Sequence, residues 1–316
     1  MENNVERTPS SVQEEIKRTR HKKELPLYIA LTITGVIVSV VYIALNDGNN
    51  IFSFLRRTIQ ESGISTGEID VAVLVQVLGV IAIILSGIGL VISLVVVMII
   101  SLYRYYGVEL SYGVRVSENN FPENYEKVKE YTRLLGLKQE PEVFVAQENG
   151  VINAFTAWIP NHTFIQLNAE IVDLAYLEHK DFDTVFFVMA HEFGHVYLHH
   201  VQIYYTIWAY LCILIPGIGR AFLVPMLSRA REYSCDRVAQ ALTGGAAQED
   251  CMKLLGLGRH IYKYADTNGY LADINKPTSA FARLARWIIN ATASHPIMPF
   301  RTAAVLDPEK KSGRLL

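Results

Sequence analysis

Only three cysteines, Cys212, Cys235 and Cys251, occur among 316 residues. That is too few for a disulfide framework and fits a reducing compartment. Charge is scarce as well: 19% of the residues are charged, the formal net charge is −2, and no nucleic-acid partner is expected. The missing charge is missing in blocks. Leu27 to Leu45 carries none, and a run of that length can cross a bilayer as a helix. The polar arm before it is long, and no small-x-small site precedes Asn46-Asp47-Gly48, which argues against a cleaved signal peptide. Val71 to Leu102 is likewise uncharged. As a helix it would run about 48 Å against a hydrocarbon core of about 30 Å, so it is expected to span and continue as a tilted or protruding stalk. Tyr103, Arg104, Tyr105 and Tyr106 would mark its interfacial end. With 51% hydrophobic residues and a mean hydropathy of +0.21, the chain is more apolar than an ordinary soluble protein.

Basic residues orient these two spans. Arg7, Lys17, Arg18, Arg20, Lys22 and Lys23 precede the first, whereas the loop from Asn46 to Asp70 has only Arg56 and Arg57. The positive-inside rule places the N-terminus in the cytoplasm, and two spans return the chain there. The expectation is a multi-pass protein of the cell (inner) membrane, with the lipid bilayer as partner and the remaining domain cytoplasmic. A third apolar stretch, 203–227, is interrupted by Pro216-Gly217-Ile218-Gly219. Each arm would then be about 22 Å of helix, too short to cross, so a helical hairpin lying against the membrane is expected.

The chemistry-bearing stretch is His191-Glu192-Phe193-Gly194-His195. Residues four apart share a helical face, so both imidazoles can reach one metal, and Glu192 can act on a water there as general base. The residues around the motif are uncharged, as a zinc hydrolase needs near its water. The bland alternative is a buried helix with two histidines by accident. A catalytic zinc usually has a third protein ligand, and Glu, Asp and His downstream are all candidates. Glu232 and Asp236 share a face in Ser228-Arg229-Ala230-Arg231-Glu232-Tyr233-Ser234-Cys235-Asp236. Glu232 can ligate, and Asp236 can fix a ligand histidine through its other nitrogen. The alternative is a solvated charged face, ion-paired by Arg229, Arg231 and Arg237.

These two motifs together resemble the membrane metalloprotease family of the bacterial heat-shock protease HtpX and the type I CaaX prenyl endopeptidases. Gly113-Val114-Arg115-Val116 with Phe121-Pro122-Glu123-Asn124-Tyr125 resembles the opening of that family's protease domain. Asn153-Ala154-Phe155 resembles its substrate-strand motif, and Ser294-His295-Pro296 with Arg301 its C-terminal signature. The resemblance runs from about residue 107 to 306. It implies one Zn2+ per chain held by His191, His195 and Glu232, with Glu192 as the catalytic residue. The departure is a spacer of only 36 residues between His195 and Glu232, short for HtpX-type members.

The expected fold is α+β and mainly helical: two N-terminal transmembrane helices, then a gluzincin-type zinc metalloprotease domain with a small sheet. The expected organisation is a cytoplasmic arm over 1–26, an anchor over 27–106 with spans at 27–45 and 71–102, the peptidase domain over 107–306, and a frayed polar tail over 307–316. Pro122 to Leu135 reads as a helix with Asn120 near its cap and Gly136 as its stop. Glu142–Gln147 and Thr163–Asn168 read as strands. Asn153 and Ala154 are candidate substrate-binding residues beside an edge strand, where an extended peptide can add. Without the resemblance a simple loop would be preferred there. His295 is a candidate donor to the tetrahedral oxyanion, with Arg301 holding its segment. His199 and His200 read as surface or membrane-interface residues, and Cys235 as a buried residue without chemistry. The expected activity is endopeptidase cleavage of polypeptides, membrane proteins among them, in membrane-protein quality control. A prenyl-protein endopeptidase and a non-catalytic zinc-containing scaffold are the alternatives. Glu192 speaks against the scaffold, because a structural site gains nothing from a base.

Overall fold

The computed structural model describes residues 7–46, 53, 57, 71–178, 180–203, 205, 223–276, 278–309 and 313–316. Among the described residues, the chain opens with the helices α1 (Pro9–Thr19), α2 (Glu24–Asn46) and α3 (Val71–Tyr112). The sheet follows, as β1 (Val114–Arg115), β2 (Glu142–Ala146), β3 (Ala154–Ile159) and β4 (His162–Asn168), with α4 (Pro122–Leu135) between β1 and β2. Then come α5 (Ala169–Asp173), α6 (Phe182–Tyr197), α7 (Val224–Thr243), α8 (Gln248–Leu257), α9 (Thr267–Asn275), α10 (Ala280–Thr292) and α11 (Met298–Leu306). The architecture is α+β and mainly helical, with one small sheet.

That sheet has the order β1-β2-β4-β3, with β2 and β4 parallel and both outer pairs antiparallel. β3 is therefore an edge strand, and it lies against α6. The sequence pattern locates β2 and β4 to within a residue or two and places Asn153-Ala154-Phe155 near an edge. Helix α4 has the expected bounds, with Pro122 in its first turn and Gly136 at φ 65° ending it. Its cap position is Phe121 rather than Asn120.

The main core joins one face of α4 (Val128, Tyr131, Leu134, Leu135) to β2, β4, α6 and α7. Helices α6 and α7 make the closest approach. A β-carbon on Gly194 would lie 3.0 Å from Cys235 Cα and 3.2 Å from its sulfur, so a side chain there would force the pair apart.

Three expectations are corrected. The described part of the expected N-terminal arm, residues 7–26, packs on the domain rather than standing apart from it. Thr8 caps α1, and Val12 and Ile16 on its apolar face are buried in the main core, in contact with α4 and α7. Arg7 donates to the Leu242 carbonyl at 2.7 Å. The 307–316 tail is not frayed where it is described: Leu315 is buried, its carbonyl accepts from Arg229 Nε at 3.0 Å, and the Arg314 carbonyl accepts from Tyr233 at 3.0 Å. Tyr106, expected to mark an interfacial end, is a contact of the sheet: its ring packs on Phe144 and Phe164 and its hydroxyl donates to Glu142 at 2.6 Å. The end of α3 thus docks on the sheet.

Helices α2 and α3 contain 23 and 42 residues and touch each other. Many side chains along their apolar stretches are outside the described set, and among the described residues no helix is long and apolar enough to cross a membrane. The expected hairpin turn at Pro216-Gly217 lies outside the described residues, as does most of the loop from Asn46 to Asp70.

Replacing Ile16 by Ala removes buried methyl groups from the core, a change that costs about 2–5 kcal/mol at such sites. Chemical denaturation of the detergent-solubilised chain should show a loss in this range; a change near zero would mean that α1 is detached.

Candidate active site

Asp181 starts the active-site helix by accepting from the Thr184 amide at 3.0 Å and its hydroxyl at 2.8 Å. Over α6 the motif residues His191, Glu192, Phe193 and Gly194 are buried. Helix α7 is buried on nearly every side, which excludes the solvated charged face. Arg229 is fully buried and donates to carbonyls of Ala291 and Leu315, and Arg237 donates to the Ala304 carbonyl. Both arginines thus tie the C-terminal segment to α7.

Contact between α6 and α7 brings three donors together. His191 Nε2 lies 3.5 Å from Glu232 Oε2, and His195 Nε2 lies 3.5 Å from Glu232 Oε1. Ligand atoms about 2.1 Å from a tetrahedral zinc sit about 3.4 Å apart, so these separations fit one ion between them. A second set is geometrically available, since His191, His195 and Cys235 offer donor atoms within 4.8 Å of one another. We favour Glu232. Burial holds the Cys235 thiol well above its ordinary range, whereas a metal requires the thiolate. Cys235 also sits behind Gly194, while Glu232 lines the cleft with both histidines.

The other nitrogen of each histidine is held. His191 Nδ1 lies 2.9 Å from Asp236 Oδ1, and Arg301 clamps both Asp236 oxygens at 2.8 and 2.9 Å. Burial works against charge on Asp236, but Arg301 and His191 outweigh it and hold the carboxyl at about 2. Burial also opposes charge on Glu232, yet hydrogen bonds to His191, His195 and His295 keep its carboxyl well below the usual range. His191 is pulled down by burial and raised further by Asp236 and Glu232, ending at about 10. Such a cage favours a cation.

His200 corrects the expectation of a surface residue. Helix α6 ends at Tyr197, His199 turns the chain back at φ 61°, and His200 is buried with its amide donating to the His195 carbonyl at 3.0 Å. Its Nδ1 faces His195 Nδ1 at 3.2 Å and its Nε2 meets Glu24 Oε1 at 2.9 Å. Burial lowers the His200 ring to about 3, against the opposing pull of Glu24.

Glu192 is gripped by Thr156, whose hydroxyl lies 2.7 Å from Oε2 and 3.1 Å from the Glu192 carbonyl. Asn153, Ala154, Phe155 and Thr156 line one wall of a cleft of about 360 Å³ that also contains His191, Glu192, His195, Glu232 and His295. Among the described residues, no strand pairs with the outer edge of β3. His295 stands exposed at this cleft with Nδ1 3.0 Å from Glu232 Oε2. Sequence reasoning missed Thr156, Glu24 and the place of His200. Thr156 had one available signal, its position one residue beyond Asn153-Ala154-Phe155 on a strand that faces the motif helix.

Substituting Asp236 by Asn leaves a neutral partner for His191 and unbalances Arg301. Zinc affinity, measured by chelator competition, should fall roughly 10- to 100-fold while Glu232→Ala abolishes binding. Full zinc occupancy in Glu232→Ala would move the third ligand elsewhere.

No curated protein and no solved structure matches the chain. The family model Peptidase_M48, described as peptidase family M48, matches residues 118–309, more than half of the chain and all of the cleft-lining residues named above. That range includes the His-Glu-x-x-His helix and Glu232, and the chain belongs to peptidase family M48, whose members are zinc-dependent metallopeptidases that hydrolyse peptide bonds.

Proposed function

We propose that this peptidase is a membrane-anchored zinc endopeptidase with a cytoplasmic active site, acting on membrane proteins in quality control of the HtpX-like kind. The convergence of His191, His195 and Glu232 beside Glu192 carries the catalytic part of this reading. His191, His195 and Glu232 would hold a zinc ion, which when bound would supply Lewis acidity toward the scissile carbonyl and the attacking water.

The chain's own groups do the rest. A peptide that adds along the open edge of β3 passes Asn153 and Ala154 and is brought over Glu192. Glu192 takes the proton from the attacking water and returns it to the leaving amine. Thr156 holds the carboxylate in one orientation for both transfers. His295, exposed at the cleft, is assigned as donor to the developing oxyanion. Arg301 fixes Asp236, which keeps His191 aimed at the centre of the cage.

The membrane part rests on other observations. Two uncharged runs coincide with helices α2 and α3, which touch each other. Because α1 packs into the peptidase core, the N-terminus and the catalytic domain share one side, as an even number of crossings requires. Helix α10 leaves Phe281, Leu284, Trp287, Ile288 and Ile289 exposed, an apolar surface suited to lipid. The quality-control role follows from the family resemblance.

Glu192→Gln should retain about one zinc per chain yet lose cleavage of an unfolded test protein by several orders of magnitude, as a chelator should for the unaltered chain. Substantial cleavage by the variant would overturn the mechanism. For topology, single cysteines at Gly63 and Gly150 in a cysteine-free background are treated with an impermeant thiol reagent on intact cells. Labelling is expected at Gly63 and not at Gly150; the same result at both sites would refute the two-span arrangement.

A further inference from the structure

Beyond the metal cage, a second buried polar cluster sits where α1 hands over to α2. Glu24, in the first turn of α2, is 3% exposed. Its carboxylate accepts from Arg20 at 2.5 and 3.1 Å, from Ser234 of α7, and meets His200 Nε2 at 2.9 Å. His200 in turn places Nδ1 3.2 Å from Nδ1 of His195. A continuous line therefore runs from the root of α2 to the second histidine of the motif.

The direction of the protons follows from donor chemistry. A carboxylate only accepts, so His200 presents Nε2–H to Glu24 and keeps a lone pair on Nδ1. That lone pair accepts a hydrogen, and the Nδ1–H of His195 at 3.2 Å is a nearer and stronger donor than the Cys235 thiol at 3.5 Å. His195 is then left with its lone pair on Nε2, the atom that faces Glu232 across the cage. The opposite arrangement would put a proton on Nε2 and remove it as a ligand.

We infer that Glu24 and His200 are positioning residues for the zinc site, fixing the ring and tautomer of His195 as Asp236 fixes those of His191. This rests on the reading of His195 as a ligand. It goes beyond the family match, because Glu24 lies outside residues 118–309 and belongs to the N-terminal segment. The chain thus builds one support of its metal site from the helix proposed as its first membrane anchor. Cys235, whose sulfur is 3.5 Å from His200 Nδ1, closes the cluster without replacing either partner.

Zinc affinity of the full-length, detergent-solubilised chain tests this by competition with a chromogenic chelator, with thermal unfolding of the zinc-free protein as the folding control. His200→Phe and Glu24→Met should weaken zinc roughly 10- to 100-fold. His200→Gln and Glu24→Gln keep an acceptor at each place and should recover most of that loss. Glu24→Met in the His200→Phe background should add no further loss, because Glu24 acts through His200. If His200→Phe does not fold, the contrast of Glu24→Met with Glu24→Gln decides alone. Wild-type affinity in Glu24→Met, or losses that multiply in the double variant, would overturn the inference. Asp236→Asn is the reference: if it too left affinity unchanged, the metal-site reading itself would fail.

Discussion

The approach of α6 to α7 at Gly194 and Cys235 is the constraint on which the site depends. Each helix alone carries half of the chemistry: two imidazoles and a base on one, two carboxylates on the other. They become one site only because Gly194 lacks a β-carbon and lets Cys235 within contact distance of the motif helix. The same approach explains why Cys235 needs no reactivity. It is a small, fully buried residue that fills the seam, and burial keeps its thiol protonated.

Such a seam places charge where water is scarce, and the surrounding chain is arranged to balance it. Glu232, Asp236 and Glu192 are all buried, the first and last lining the cleft and Asp236 behind His191. Arg301 from α11 compensates Asp236 with a two-pronged contact, leaving a negative cage that a divalent cation would complete. Glu24 with His200 supports the second histidine from the other end of the chain. Both supports come from outside the two motif helices, so the N-terminal helices and the C-terminal segment are parts of the site's scaffold rather than appendages.

Much of the site was legible because its signals are local. His191, Glu192 and His195 declare themselves by helical spacing, and Glu232 with Asp236 by sharing a face one turn apart. Helix α4 was legible from Pro122 and Gly136, and β2 and β4 from their short apolar runs. What escaped was set by tertiary contact. His200 looked like an extension of α6 until the left-handed turn at His199 folded it back, and no periodicity announces that turn. Glu24 reads as one charge in a basic arm, and only its burial beneath α7 gives it a role. The tail after Asp307 is polar in composition, yet Leu315 buries its side chain in a cluster with Tyr233, and backbone carbonyls accept from Arg229 and Tyr233.

Two histidines and Glu232, not Cys235, are proposed to hold the metal. X-ray absorption at the zinc edge of the purified chain separates the two sets directly, since zinc–nitrogen and zinc–oxygen bonds are about 2.0–2.2 Å and zinc–sulfur bonds about 2.3 Å. A shell of nitrogen and oxygen neighbours alone, with imidazole scattering from two rings, is the expected result. A sulfur neighbour at about 2.3 Å would contradict it and make Cys235, rather than Glu232, the third ligand.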